Sequence, residues 1–178
     1  MRKIIMFVLA AVLFMPGLMA QDDINQFELS KVVSASAREM TALLSTGKNH
    51  ECLQYIHPAR LQAAGSDENM IKKLNAQNEK LLAEGAVIKA TYYEQPSKIV
   101  RNNGELQCTI PQHTELTTAK GRVITHTALL AISKDNGKSW KFVDASNFDM
   151  ASLRKLYPNL SPRITLPPKQ KPSVFNKE

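Results

Sequence analysis

The chain has 178 residues, 43% of them hydrophobic, and a formal net charge of +7. This length fits one globular domain of ordinary size with a proper core. The sequence has only seven glycines and no phosphate-binding loop or dinucleotide-binding motif, so a nucleotide-dependent enzyme is disfavoured and no cofactor is expected.

Residues 1–20 have the pattern of a secretory signal peptide. Arg2 and Lys3 precede an uninterrupted apolar run of eleven residues at positions 4–14, and the segment ends at the small residue Ala20. An uncleaved membrane anchor is the alternative, but a span needs about 20 apolar residues. We therefore expect cleavage near Ala20, a periplasmic or secreted protein, and no membrane span after cleavage.

The basic excess remains after the predicted cleavage, because removing Arg2 and Lys3 takes the formal net charge from +7 to +5. Such an excess can attract nucleic acid or an anionic membrane surface. In an exported protein we expect no nucleic-acid partner. The excess then indicates a solvated basic surface, or contact with an anionic envelope surface.

Two cysteines, Cys52 and Cys108, follow the predicted signal peptide. An even count in an oxidising compartment permits a disulfide between them. The alternative is two buried free thiols, since cysteine is a common small core residue. Both interpretations remain open from the sequence.

Three helices are predicted in the first half of the chain, at residues 24–46, 50–56 and 67–84. Residues 59–65 are expected to be a connector, because His57-Pro58 ends the second helix. Ser66 is placed to cap the third helix and Gly85 to end it. The third helix has a predicted apolar stripe at helical spacing, formed by Met70, Ile71, Leu74, Leu81 and Leu82.

Four strands are predicted in the second half, at residues 86–101, 105–118, 122–133 and 138–145. The pattern there changes to a period of two, and Pro96 marks a bulge or an edge in the first strand. The turn at Asn103-Gly104 is a strong hairpin signal.

The C-terminal end is predicted to contain a short helix and an extended arm. Asn147 is placed to cap a helix at 148–156, and the basic tail at 158–178 holds five of the nine prolines. Proline removes a backbone donor, so this arm cannot be a helix or an inner strand. It is expected to be extended, either docked on the domain or loose.

The predicted fold class is α+β, with N-terminal helices packed on a curved four-stranded antiparallel meander in a single domain at 21–157. The order of elements and the Gly47-Lys48-Asn49 break between the first two helices resemble the nuclear transport factor two-like superfamily, over about residues 28–146. That cone-shaped fold is shared by steroid isomerases, polyketide cyclases and many small exported proteins. The resemblance implies a small molecule or an interface at the open end of the cone, but no motif carries over a catalytic residue.

The hairpin turns allow a prediction of register. If residues 119–121 form a three-residue loop, Leu116 faces Ile124 and the apolar sides of the two strands coincide, whereas a two-residue loop sets apolar against polar positions. A three-residue loop at residues 135–137 likewise pairs Leu130 with Phe142.

In this register polar side chains gather at one end of the apolar face. His126 faces Thr114, and Asp144 is the diagonal neighbour of His126, within side-chain reach. The convergence predicts a small-molecule site formed by Tyr55, Tyr93, Gln112, Thr114, His126 and Asp144. If the site is catalytic, His126 is the general acid or base and Asp144 holds it. If it is structural, the two residues satisfy one another.

No metal site is expected. The predicted register puts His113 and His126 on opposite faces of the sheet, and no His-Glu-x-x-His motif occurs. The segment from Ser133 to Trp140 matches an Asp-box, a turn device in which an aspartate ties down its own hairpin. A single copy supports the hairpin and says little about substrate.

Three functions are consistent with these patterns. The first is an exported, non-catalytic module that binds a small apolar ligand or an envelope protein at the open end of the cone. The second is a small pocket enzyme, an isomerase, lyase or hydrolase, that uses His126 and Asp144. The third is an interaction protein that forms homo-oligomers through its proline arm.

Overall fold

The computed structural model describes residues 25–177, so the predicted signal peptide at 1–20 lies outside the described residues. Within the described part there are five helices and a 3₁₀ turn at Leu53–Tyr55. The helices are α1 (Gln26–Ser45), α2 (Asn49–Cys52), α3 (Pro58–Ala64), α4 (Asp67–Ala83) and α5 (Met150–Leu156). Across residues 25–177, none of the helices combines the length and apolar character that a bilayer crossing requires.

The strands form one antiparallel sheet that does not close. They are β1 (Val87–Tyr93), β2 (Val100–Asn102), β3 (Glu105–Thr118), β4 (Gly121–Ser133), β5 (Lys141–Asp144) and β6 (Ser173–Asn176). The order across the sheet is β1-β3-β4-β5, with β2 also paired to β3 and β6 also paired to β4. The predicted α+β class, with helices before strands, is confirmed. The predicted number of four strands is wrong, because the sheet has six.

The first additional strand arises where a single strand was predicted at residues 86–101. The chain leaves the ladder after Tyr93 and returns at Val100, so β1 and β2 are separate. Between them Ser97 still holds the chain near β3, since its Oγ accepts the backbone N–H of Thr109 at 2.9 Å. Pro96, which lacks an N–H donor, lies in this interruption.

The segment predicted as a connector is helix α3. His57 caps its start through Nδ1, which accepts the backbone N–H of Ala59 at 3.2 Å. Pro58 occupies the first turn, where a missing N–H costs nothing, and Gly65 ends the helix with a φ of +90°. The pair His57-Pro58 therefore ends one helical segment and begins another.

Helices α1 and α4 begin as expected, but only α1 is well buried. Asn25 and Ser66 cap the two helices, each side chain accepting a backbone N–H three residues later at 3.2 Å. On α4 the predicted apolar stripe is fully buried only at Met70 and is half-buried at Ile71, Leu74 and Leu81. Leu82 is 62% exposed, so the prediction is wrong at that position.

The sheet is covered on both sides, and each side has its own core. The helix face packs against α1 and α2, with a core of Val33, Ala37, Met40, Cys52, Ile99, Leu106, Cys108, Ile110, Leu129, Ala131, Trp140 and Phe142. The tail face packs against α5 and the residues after it, with a core of Val100, Leu130, Ile132, Val143, Ala145, Leu153, Tyr157, Leu160 and Ile164. Successive residues of a strand point to opposite faces, so neighbours such as Leu129 and Leu130 serve different cores.

The proline-rich tail is docked rather than loose. Leu160 and Ile164 are buried in the core of the tail face. The Arg154 guanidinium donates to the carbonyl groups of residues 160, 161, 162 and 164 over 3.1–3.3 Å, which clamps the tail to α5. The proline-free segment of the tail then forms β6 along β4.

The predicted register of the long hairpin is wrong by one residue. Thr118 pairs with Gly121 across a two-residue loop, so Leu116 lies opposite Val123 and Ile110 opposite Leu129. The β4–β5 pairing is likewise displaced, since Leu130 lies opposite Val143. The prediction assumed that only one face is apolar. Because the tail buries the second face, alternating hydrophobicity does not fix the register here.

Cys52 and Cys108 are free thiols buried in the core of the helix face. Burial raises the pKa of Cys52 to about 11 and that of Cys108 to about 12, because the thiolate would be poorly solvated. Of the two alternatives, the structure contains the pair of buried thiols and not the disulfide.

Candidate functional site

An open cleft lies between the tail and the tail face of the sheet, with a volume of about 100 Å³. We call it the tail cleft. The sheet contributes His113 and His126 to its lining, and most of its apolar lining comes from the loop before α5 and from the tail. The lining residues are Glu94, Pro111, His113, His126, Thr127, Ala128, Ala145, Ser146, Phe148, Leu166, Pro167, Pro168, Lys169 and Gln170.

The centre of the tail cleft is a pair of histidines on neighbouring strands. His113 of β3 and His126 of β4 are directly opposite in the ladder. Their Nδ1 atoms are 2.7 Å apart, and the rings meet edge to face with centroids 4.9 Å apart. At this distance the two nitrogens share one proton in a hydrogen bond.

Each histidine has a second partner on its other ring nitrogen. His113 Nε2 lies 2.6 Å from Glu94 Oε1, and His126 Nε2 lies 3.4 Å from Ser173 Oγ. One set of tautomers satisfies the chain: Ser173 donates to His126, His126 donates to His113, and His113 donates to the carboxylate of Glu94. The result is a continuous hydrogen-bonded path from the tail strand to the end of β1.

The tail strand reaches His126 because Gly121 permits a close approach. A Cβ at Gly121 would lie 2.1 Å from the backbone oxygen of Phe175, and the residue has a φ of +138°. Only glycine fits here, since any other side chain would meet backbone. The approach brings β6 alongside residues 121–124 and carries Ser173 to the edge of the histidine pair.

Two other predicted site residues, Tyr93 and Gln112, lie on the helix face, away from His126. Tyr93 pairs with Gln112, and its hydroxyl contacts that of Thr41 on α1. Burial raises the pKa of Tyr93. Gln112 Nε2 is 3.4 Å from the hydroxyl of Thr114, so these three predicted residues are brought together.

Tyr55 and Asp144 also belong to the helix face. Tyr55 packs against Phe142, with ring centroids 6.5 Å apart, and its pKa is raised to about 12, first by burial and then by Glu39. Asp144 lies opposite Leu129, and its Oδ1 accepts the backbone N–H of Ser146 at 2.8 Å.

The predicted pairing of His126 with Asp144 is wrong, because the sheet lies between them. Asp144 shares a face with Leu129, whereas His126 is an even-numbered residue of β4 and shares its face with Leu130. The one-residue error in register is the cause, since it moves every side chain of a strand to the other face.

Glu94, His113 and Ser173 belong to the site but are not among the predicted site residues. The prediction that His113 and His126 lie on opposite faces is wrong. A two-residue turn at Ala119-Lys120 was the signal that would have set His113 opposite His126. No comparable signal points to Ser173, which is distant along the chain.

A second cleft of about 150 Å³ lies beside the turn between β4 and β5, lined by His57, Pro58, Ile132, Lys134, Asp135, Ser139 and Lys141. Burial lowers the pKa of His57, and Lys134 lowers it further. Asp135 has both carboxylate oxygens tied to Ser133 and Ser139. The carboxylate of Asp135 is thus already held within its own turn, as the Asp-box pattern predicts.

Within residues 25–177, no three His, Cys, Asp or Glu side chains are grouped so as to hold a metal ion. Comparison of the chain with protein-family models, with curated proteins and with solved structures gives no match.

Proposed function

We propose that this protein is an exported, non-catalytic binding module that holds a small molecule in the tail cleft. The observation that supports this is the convergence of polar and apolar groups on one open space. The histidine pair lies on the sheet side, and Phe148 and Leu166 supply apolar surface from the loop before α5 and from the tail. Binding pockets combine an apolar wall with a few placed polar groups in this way.

The size of the tail cleft limits what it can enclose. A volume of about 100 Å³ is well below the roughly 300–1,000 Å³ of pockets that enclose drug-sized ligands. The enclosed part of the ligand is therefore a small group, such as a carboxylate or an amide with a short apolar chain. Any larger portion would extend along the open side of the cleft.

The export part of the proposal depends on the pattern of residues 1–20. The resemblance to the nuclear transport factor two-like superfamily is also a proposal, supported by the order of the helices and the antiparallel sheet. That resemblance would place a ligand on the helix face, near Tyr93, Gln112 and Thr114, rather than in the tail cleft.

Native mass spectrometry of the untagged protein recovered from the exported fraction tests the proposal. We expect a cleaved N-terminus and an additional mass that is lost on denaturation. His126→Gln should reduce the occupancy, whereas Tyr93→Phe should leave it unchanged. The opposite response of the two variants would move the ligand to the helix face, and a bare protein in all preparations would contradict a retained ligand.

A pocket enzyme is the second candidate, and the hydrogen-bonded path from Ser173 to Glu94 favours it. The path can carry a proton from His126 towards the carboxylate of Glu94, which is the task of a general base. In this case His113→Gln and His126→Gln abolish turnover of a substrate found by screening, while the thermal midpoint is retained. Turnover that survives both substitutions would exclude this role.

The third alternative, a homo-oligomer formed through the proline arm, has less support. The tail already packs against its own sheet, so the apolar residues Leu160 and Ile164 are buried within one chain. Sedimentation velocity of the full-length product tests it, and a dimer that persists after removal of residues 173–178 would show that β6 is not its interface.

A further inference from the structure

We propose that the His113–His126 pair is a binding site for a divalent transition-metal ion. The site would bind Cu²⁺ most tightly and Zn²⁺ more weakly. The proposal goes beyond the binding of an organic molecule, because the ion would occupy the place of the shared proton. Imidazole nitrogen is a preferred ligand of both ions, and affinity of such sites rises towards Cu²⁺.

The two coordinating nitrogens are already close together. The two Nδ1 atoms are 2.7 Å apart at the edge of an open cleft. Metal–nitrogen bonds of about 2.0–2.1 Å, at right or tetrahedral angles, place two nitrogens about 3 Å apart. Widening the Nδ1–Nδ1 distance by a few tenths of an ångström and turning both rings, so that their lone pairs converge on a point beside the line between the nitrogens, converts the hydrogen bond into a two-nitrogen site.

An oxygen atom lies next to the outer ring nitrogen of each histidine. Metal-bound histidines almost always donate their other N–H to a carboxylate or another oxygen, which fixes the ring and makes the ligand more basic. Glu94 Oε1 stands in this position behind His113 at 2.6 Å, and Ser173 Oγ stands behind His126 at 3.4 Å. The pair thus has the supporting groups of a metal site as well as its ligands.

Binding of a metal ion to the two Nδ1 atoms requires no net release of a proton from the histidines. In the empty site His126 carries its proton on Nδ1 and accepts from the hydroxyl of Ser173. When a metal ion binds both Nδ1 atoms, the proton of His126 moves to Nε2 and is donated to Ser173 Oγ, so this hydrogen bond reverses its direction. His113 keeps its proton on Nε2, directed at Glu94 throughout.

The charges around the pair are compatible with a cation. Glu94 supplies a negative charge at the end of β1, and its side chain is 59% exposed, so it can adjust its position. Lys169 of the tail lines the same cleft and is the opposing charge, but it also interacts with Asp149, whose pKa it lowers. Since the protein provides two nitrogens, water completes the coordination from the open side.

Calorimetric titration of Cu²⁺ and of Zn²⁺ into the untagged protein is the test, with no organic ligand added. We expect one ion per chain and tighter binding of Cu²⁺. His113→Gln or His126→Gln should remove this saturable binding. Glu94→Gln, which changes an exposed side chain behind the ligand, should weaken it about 10- to 100-fold. The matched control His50→Gln, in an exposed position on α2, should leave it unchanged.

Electron paramagnetic resonance of the Cu²⁺ complex of the unsubstituted protein tests the site without requiring any variant to fold. Hyperfine coupling to two equivalent nitrogens is expected. One-to-one binding that persists in the double variant His113→Gln/His126→Gln, or the absence of binding at stoichiometric metal, would overturn the metal site. Neither result bears on the organic ligand, because native mass spectrometry of the untreated protein reports that separately.

Discussion

The side chain of Gln107 on β3 forms hydrogen bonds with the backbone of the tail at two residues, Ser161 and Asn159. Its Oε1 accepts the backbone N–H of Ser161 at 2.8 Å, and its Nε2 donates to the carbonyl of Asn159 at 2.9 Å. The amide is fully buried on the tail face. A buried polar side chain near the start of β3 therefore specifies where the tail lies on the sheet.

Replacement of this amide should loosen the tail. In Gln107→Leu the buried N–H of Ser161 loses its partner, which is expected to lower the free energy of unfolding by about 1–3 kcal/mol. The carbonyl of Asn159 keeps a second donor, Asn102 Nδ2 at 2.8 Å, and adds less to the loss. Urea denaturation measures the difference, with Gln77→Leu on the exposed side of α4 as control. Equal stability of both variants would show that the tail is not held through Gln107.

The two parts of the tail should differ sharply in their importance for stability. Leu160→Ala and Ile164→Ala remove side chains that are buried in the core of the tail face, and each should cost about 2–5 kcal/mol. Val174→Ala in β6, which is 63% exposed, should change stability by less than about 0.5 kcal/mol. Thermal or urea unfolding of the three variants provides the comparison. A large effect of Val174→Ala would mean that β6 is covered in solution.

The turn between β4 and β5 should lose stability in acid. Hydrogen bonds from the hydroxyl and backbone N–H of Ser139, with others, lower the pKa of Asp135 from 3.8 to about 2. Its contribution is therefore fully present above pH 4 and is lost as the pH falls from 4 to 2. Because Asp135 is partly exposed, solvent screening keeps this contribution below about 1 kcal/mol.

Urea denaturation at pH 7 and at pH 2–3 measures this effect. Asp135→Asn should be less stable than the unmodified protein at pH 7, and the difference should shrink in acid. Glu79→Gln, at an exposed position on α4, is the control and should show no such convergence. A difference that stays constant with pH would attribute the effect to the shape of the turn rather than to the charge.

The two cysteines should be unreactive while the protein is folded. Burial raises the pKa values of Cys52 and Cys108 to about 11 and about 12, so the thiolate is scarce at pH 8 and is shielded from reagents. A thiol reagent such as dithionitrobenzoate should react with neither cysteine in buffer and with both in denaturant. A mass 2 Da below that of the reduced chain, in protein from the oxidising compartment, would instead show a disulfide.

Local patterns predicted the elements better than they predicted how the elements combine. Helices α1 and α4 follow from their caps and periodicity, and the long strands β3 and β4 follow from alternation between turns. Helix α3 was missed because His57-Pro58 was interpreted only as an end, although proline in the first turn also begins helices. Such signals depend on a few adjacent residues.

The site could not be predicted because it depends on the tail. Leu160 and Ile164 bury a second face of the sheet, so apolar residues occur at both odd and even positions of β4. Without this fact the register was placed one residue away, and His126 was paired with Asp144 instead of His113. Three residues of the predicted site, Tyr93, Gln112 and Thr114, do lie together, but they lie on the helix face and not beside His126.

The Arg154 clamp holds carbonyl groups of the tail segment 160–164, which follows β1 to β5 in chain order. The tail face cannot close until Ile164 is in place. During synthesis these five strands therefore emerge before the residues that cover one side of their sheet. That side stays exposed to solvent until the tail is made, so burial of the tail face is a late step of folding.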